Sequence, residues 1–144
     1  MFDHVKLSHF GASTHASKRL HNEDAYLLLP DHRFFAVADG MGGHKAGEIA
    51  SKSALNFLKS KIEQTPNMRF RLDALTSRLI DQIQATNSHL LDISEKKPLL
   101  QGMGTTLAAL LFDGRFVIHA HLGDSRLYRL RAGKLDLLTV DHTA

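Results

Sequence analysis

The sequence predicts an α+β chain, with two antiparallel strand blocks separated by a pair of amphipathic helices. Three observations carry this expectation. Residues 25–29 and 33–39 are short apolar stretches joined by Pro30-Asp31-His32, which is turn chemistry, so they read as an antiparallel hairpin. Residues 48–64 and 69–93 repeat apolar side chains at helical spacing. Four further short stretches between residues 107 and 139 are separated by Asp113-Gly114, Gly123-Asp124-Ser125 and Ala132-Gly133, the signature of a four-strand meander.

Composition narrows the functional classes. The chain has 144 residues, 43% hydrophobic and 23% charged, which is the range of a folded domain and not of a disordered segment. That length makes one domain, or part of one, with a sizeable core. The formal net charge is +3, but the basic residues are scattered, which argues against a nucleic-acid partner. Cysteine is absent, so disulfides and thiolate metal sites are excluded, and a reducing compartment is compatible. Residues 1–10 lack the apolar core of a signal peptide, and the longest apolar run, residues 107–112, is too short to cross a membrane. The expected setting is cytoplasmic, with no membrane partner.

Taken in order, residues 5–10 alternate apolar and polar side chains, as a half-buried strand does. Residues 11–21 read as a polar loop leading into the cluster Arg19, Glu23 and Asp24. Strands follow over 25–29 and 33–39. The first helix, 48–64, sets Ala50, Ala54, Phe57, Leu58 and Ile62 mostly on one face, and Thr65-Pro66-Asn67 stops it. The second carries Leu72, Leu75, Leu79, Ile83, Leu90 and Leu91 in a stripe, with Ile80 beside it. Two such helices read as a hairpin laid over a sheet, with a covering role and no chemistry. Strands over 107–112, 115–122, 126–130 and 134–139 complete the meander.

The remainder is organised around residues 34–47. An apolar run ends abruptly at Asp39, and Gly40, Gly42, Gly43 and Gly47 follow. A buried strand that ends on an unpaired carboxylate is costly, and glycines let a backbone approach a ligand closely. A carboxylate held rigidly among bare carbonyls and amides suits a hard metal ion or a phosphate. The other reading is an ordinary acidic turn in which Asp39 caps the next helix.

Hairpin geometry extends the argument. The turn joins one end of the two strands, so Asp24 and Asp39 become neighbours at the other. Glu23 joins them, with Arg19 close by. Clustered carboxylates repel unless a proton or a cation sits among them, and oxygen donors beside a glycine carbonyl favour Mg²⁺ or Mn²⁺. The competing reading is a surface salt-bridge network among Arg19, Glu23, Asp24 and Lys45, worth roughly 0–1 kcal/mol per pair. Asp124 lies between a strand and a turn, like Asp39, or is a simple turn aspartate. His119 and His121 alternate along one strand and raise a zinc reading, but no third ligand is near. No nucleophile elbow and no Walker-type loop occurs.

Five segments together resemble a known family. They are Arg19-x-x-Asn22-Glu23-Asp24, residues 37–44 (Val-Ala-Asp-Gly-Met-Gly-Gly-His), Gly104-Thr105-Thr106, Gly123-Asp124-Ser125-Arg126 and Leu138-Thr139-x-Asp141-His142. In this order and spacing they are similar to the metal-dependent PPM protein phosphatases, the type 2C Ser/Thr phosphatases in their bacterial form, over nearly the whole chain. The resemblance implies a four-layer sandwich of two antiparallel sheets between pairs of helices, with residues 1–144 as the N-terminal part of a single domain. It implies that Asp39 bridges two Mn²⁺ or Mg²⁺ ions and that the Gly40 carbonyl binds one of them. By the same resemblance, Glu23 and Asp24 hold that ion directly or through water, Asp124 belongs to a third, weaker position, and Arg19 holds the substrate phosphate. The implied activity is hydrolysis of Ser/Thr phosphate on a phosphoprotein by a metal-activated water.

Two departures stand out. Met41 occupies the place after Asp-Gly where many relatives carry histidine, so the proton donor to the leaving oxygen is water or His44. The family pattern also continues past Asp141-His142 to later metal-binding aspartates, whereas this sequence stops at Ala144. The expectation is therefore the N-terminal part of a phosphatase; the competing expectation is a truncated, catalytically incomplete phosphatase-like binding or regulatory module. Missing sheet partners also predict dimerisation through exposed strand edges.

Overall fold

The structure is a computed structural model that describes residues 6–43, 45–66, 71–114 and 116–143. Strands β1 (Asp24–Leu29) and β2 (Phe34–Met41) form the expected hairpin, in register from Asp24 opposite Asp39 to Leu29 opposite Phe34. Between them Pro30–His32 makes a single 3₁₀ turn, and Arg33 takes the left-handed conformation with its N–H on the Pro30 carbonyl at 3.0 Å. Helices α1 (Ala46–Glu63) and α2 (Leu72–Lys96) follow. The chain then returns through β3 (Gly104–Thr105), β4 (Leu107–Asp113) and β5 (Phe116–Leu122). The main sheet has the order β1-β2-β4-β5, with β3 paired to the end of β2, and every pairing is antiparallel. A separate two-stranded ribbon joins β6 (Tyr128–Arg131) to β7 (Lys134–Leu137).

The core lies between this sheet and the helices. It gathers Leu29, Phe34, Ala36 and Ala38 from the hairpin, Leu55, Leu58 and Ile62 from α1, Leu79 from α2, and Leu107 and Ala109 from β4. Small residues dominate the contact between β2 and α1: Ala36, Ala38, Ala50 and Ala54 are all buried. They let the helix sit close to the strands with few voids, as close packing demands. Helix α2 packs against α1, where the His89 ring stacks on Phe57 with centroids 4.3 Å apart. Gln82 Nε2 donates to the Lys61 carbonyl at 3.2 Å and to Thr65 Oγ1 at 3.0 Å, which ties down the C-terminal end of α1.

Two antiparallel sheets and two helices match the expected class, but several elements differ from expectation. Residues 6–10 form no strand; Val5 lies outside the described residues. His9 lies against Phe35, with centroids 5.6 Å apart, and Gly11 abuts the Tyr26 ring. Alternation here therefore reports a segment lying across a sheet face, not one pairing with an edge. The four-strand meander is two hairpins, because β5 pairs with β4 and β6 with β7. Gly123, at φ 91°, turns the chain away before β6 begins. Helix α1 starts at Ala46, and the expected first residues of the second helix, 69 and 70, lie outside the described residues. The α2 stripe is only partly buried: Leu79 and Leu90 are covered, whereas Leu72, Ile80 and Leu91 are exposed. No helix among the described residues is long and apolar enough to cross a membrane.

Leu58 is fully buried at the centre of the core and Leu130 is 70% exposed on the ribbon. Leu58→Ala is expected to cost about 2–5 kcal/mol in urea unfolding, through lost burial and a cavity. Leu130→Ala is expected to stay within about 0.5 kcal/mol of the parent.

Candidate metal centre

Strand register builds the site. Asp24 and Asp39 are direct partners across the β1–β2 ladder, so their side chains leave the same face of the sheet. That face points away from α1, because Ala38 and Gly40 on either side of Asp39 are the buried positions. The Asp39 carboxyl titrates above its usual range. Its causes are partial withdrawal from water, then the charge of Asp24 and a hydrogen bond with it, then the charges of Asp124 and Glu23. The residue as a whole is exposed, so the withdrawal is modest; what distinguishes Asp39 is the three acids around it.

Glu23 enters through the backbone. Its carbonyl accepts the Gly40 N–H at 2.9 Å. A Cβ on Gly40 would collide with the Gly47 carbonyl, and a Cβ on Gly47 would collide with Glu23 Oε1. Two bare backbones thus allow the end of β2, the first turn of α1 and the Glu23 side chain to meet. Arg19 Nη1 is 3.9 Å from Glu23 Oε2, a long contact that leaves the guanidinium largely open to solvent. Asn22 fixes the approach of β1: its Oδ1 accepts the Asp24 N–H at 3.0 Å, and its Nδ2 donates to Ser13 Oγ at 2.7 Å.

Asp124 is held from the other side of the sheet's end by residues 138–142. Arg126 makes a two-point bridge to Asp141, Nε to Oδ1 at 2.9 Å and Nη2 to Oδ2 at 2.7 Å. The His142 N–H donates to the Gly123 carbonyl at 2.9 Å, and the Gly123 N–H reaches His142 Nδ1 at 3.4 Å. His121 shares the outer sheet face with His119, but its Nε2 is 2.9 Å from the Val140 carbonyl and its ring lies 4.7 Å from that of His142. His121 thus belongs to this clasp, which removes the structural basis of the zinc reading.

The helix-capping reading of Asp39 fails as well. Asp39 does not cap α1, whose N-cap residue is Lys45, with no side-chain cap. Of the expected salt-bridge network the described residues show the long Arg19–Glu23 contact, while Lys52 and His21 face Glu48 at 2.6 and 3.4 Å. Three of the acids expected from the sequence, Glu23, Asp24 and Asp124, act on the carboxyl of the fourth, Asp39. Gly40 and Arg19 adjoin them. Among the described residues no group of three or more acidic or histidine side chains forms a ready-made ion cage. The donors nevertheless fit a hard divalent cation: they are all oxygen, and their mutual repulsion is what a cation would relieve. Thr106 and Ser125 are the residues that sequence reasoning left without a role. Asp39 N–H donates to Thr106 Oγ1 at 2.9 Å, and Thr106 Oγ1 lies 2.6 Å from Ser125 Oγ. The only signal for them was their place in the matching segments.

A helix-covered antiparallel sheet sets the oxygen donors of Asp24 and Asp39 side by side at its strand ends. The protein phosphatase 2C family model matches residues 11–144, and the chain belongs to that family. It is 41% identical over 125 residues to the serine/threonine protein phosphatase PstP of Mycobacterium tuberculosis, covering 87% of this chain and 23% of the relative. It is 37% identical over 128 residues to the serine/threonine phosphatase stp of Listeria monocytogenes, covering 87% of this chain and 50% of the relative. The solved catalytic domain of PstP in complex with two manganese ions superposes with a TM-score of 0.74 at 41% identity, over 85% of this chain and 50% of that one. The chain therefore spans half or less of the length of these relatives.

An acid whose folded pKa is raised stabilises nothing above that pKa. Its penalty is absent below the unfolded value of 3.8, grows between that value and the folded one, and is fully present above the folded one. In metal-free buffer Asp39→Asn is expected to raise the thermal midpoint at pH 7, with the gain shrinking toward pH 4, measured by circular dichroism. An equal gain at both pH values would remove the like-charge account.

Proposed function

We propose that this chain carries the catalytic face of a metal-dependent phosphoprotein phosphatase acting on Ser/Thr phosphate. The reading is supported chiefly by the opposition of Asp24 and Asp39 in a chain of the 2C family, with Glu23 and Asp124 acting on the same carboxyl. Asp39, Glu23, Asp24 and the Gly40 carbonyl would hold two Mn²⁺ or Mg²⁺ ions, and Asp124 a third. Bound there, such ions supply a water of lowered pKa as nucleophile and neutralise charge on the phosphoryl oxygens. Arg19, open to solvent and only loosely paired, would receive the substrate phosphate through charge-assisted N–H donors. Asp24 and Asp39 hold the shared charge in place, since neither can move without breaking the ladder register. Met41 has no proton to give, so His44 or solvent would protonate the leaving oxygen. The substrates would be cytoplasmic phosphoproteins of a Ser/Thr kinase.

One observation favours a second reading, a phosphatase-like binding or regulatory module without turnover. The described residues close no ion cage by themselves. Self-association belongs with either reading, since β1 and β5 are the edges of the main sheet and offer unpaired backbone groups.

Hydrolysis of p-nitrophenyl phosphate with Mn²⁺ separates the two. Under the enzymatic reading Asp39→Asn lowers turnover by about 100-fold or more. Arg19→Ala raises KM by about 10-fold, the cost of a charged hydrogen bond. Mn²⁺ binding by the parent chain without turnover would select the binding module instead.

A further inference from the structure

The pairings of β3 and β4 with β2 share one continuous register, Gly40 opposite Thr105 and Val37 opposite Ala108, which sets Thr106 opposite Asp39. Yet Thr106 belongs to neither strand. Half of its ladder connection is ordinary: the Thr106 N–H donates to the Asp39 carbonyl at 2.9 Å. The other half is replaced. The Asp39 N–H goes to the Thr106 side-chain oxygen, while the Thr106 carbonyl accepts the Thr105 hydroxyl at 3.0 Å. The strand is interrupted at one residue, and that residue faces the acid at the centre of the candidate site.

The substitution leaves the Thr106 hydroxyl with a second contact besides the Asp39 N–H. It pairs with Ser125 Oγ at 2.6 Å, and Ser125 is the neighbour of Asp124. The Thr106 methyl closes the same contact, since a Cβ on Gly123 would lie 2.7 Å from Thr106 Cγ2. One side chain therefore touches the backbone of Asp39, the residue after Asp124 and the residue before it.

We propose that Thr106 is a positioning residue that locks the strand end carrying Asp39 to the turn carrying Asp124, and so sets the spacing of the two carboxylates toward a divalent cation. This rests on the proposed metal-binding reading only for its last clause. Thr106 acts through the backbone of Asp39 and the hydroxyl of Ser125.

The test uses the 144-residue chain with Thr106→Val, which keeps the shape and removes the hydroxyl, and Thr106→Ser, which keeps the hydroxyl. Amide hydrogen exchange is read at Asp39 by NMR without metal, and Mn²⁺ affinity by calorimetry. Thr106→Val is expected to speed exchange at Asp39 by about 10-fold relative to core amides such as Leu58, and to weaken Mn²⁺ binding by about 10-fold. Thr106→Ser is expected to remain within about 3-fold of the parent in both. Unchanged Asp39 exchange in Thr106→Val, or exchange that rises equally throughout the core, overturns the proposal. If the valine variant does not fold, Ser125→Ala replaces it. Faster exchange at Asp39 and across residues 123–125 then supports the lock, and parental exchange overturns it. A parent chain that binds no Mn²⁺ removes the metal-binding reading, and the Asp39 amide still judges Thr106.

Discussion

Opposition of two like charges across a strand ladder is the constraint on which the rest of this structure depends. Antiparallel pairing puts Asp24 and Asp39 on one face with no freedom to separate, because each is fixed by the register that buries Leu29, Phe34, Ala36 and Ala38 on the other. A slip of one residue would turn the apolar set outward, so burial of the core and crowding of the acids are enforced together. The hydrophobic side thus maintains an electrostatic arrangement that the acids alone would disperse.

The surroundings are shaped to preserve this crowding. Gly40 and Gly47 bring strand and helix to backbone contact, and the Glu23 side chain lies against that contact. Arg19 makes only a long contact with Glu23, while Lys52 pairs with Glu48 and Arg126 with Asp141. The fold thus concentrates negative charge around the Asp39 carboxyl and raises its pKa.

Asp124 shows a different way of placing an acid. It belongs to no strand, and its turn is held by residues 138–142 through the Arg126–Asp141 bridge and the Gly123–His142 pair. The planar guanidinium fixes direction as well as distance, which a single ion pair does not. Through Thr106 and Ser125 this clasp meets the end of β2, so the site is joined across both halves of the chain.

The sequence by itself determined the hairpin, the two helices and the acid cluster, because each depends on local spacing: turn residues fix the hairpin, helical periodicity fixes the covering face, and strand ends carry Asp24 and Asp39 together. Family-like segments identified the protein's relatives on the same local grounds. Whatever depends on which backbone meets which emerges in the folded chain alone. Residues 6–10 alternate like a strand but lie across a sheet face, and the expected meander divides because Gly123 redirects the chain. His121 turns to Val140 and His142 instead of to a metal, and Thr106 exchanges its carbonyl for its hydroxyl opposite Asp39. These outcomes are set by contacts between residues far apart in the chain, which no local pattern encodes.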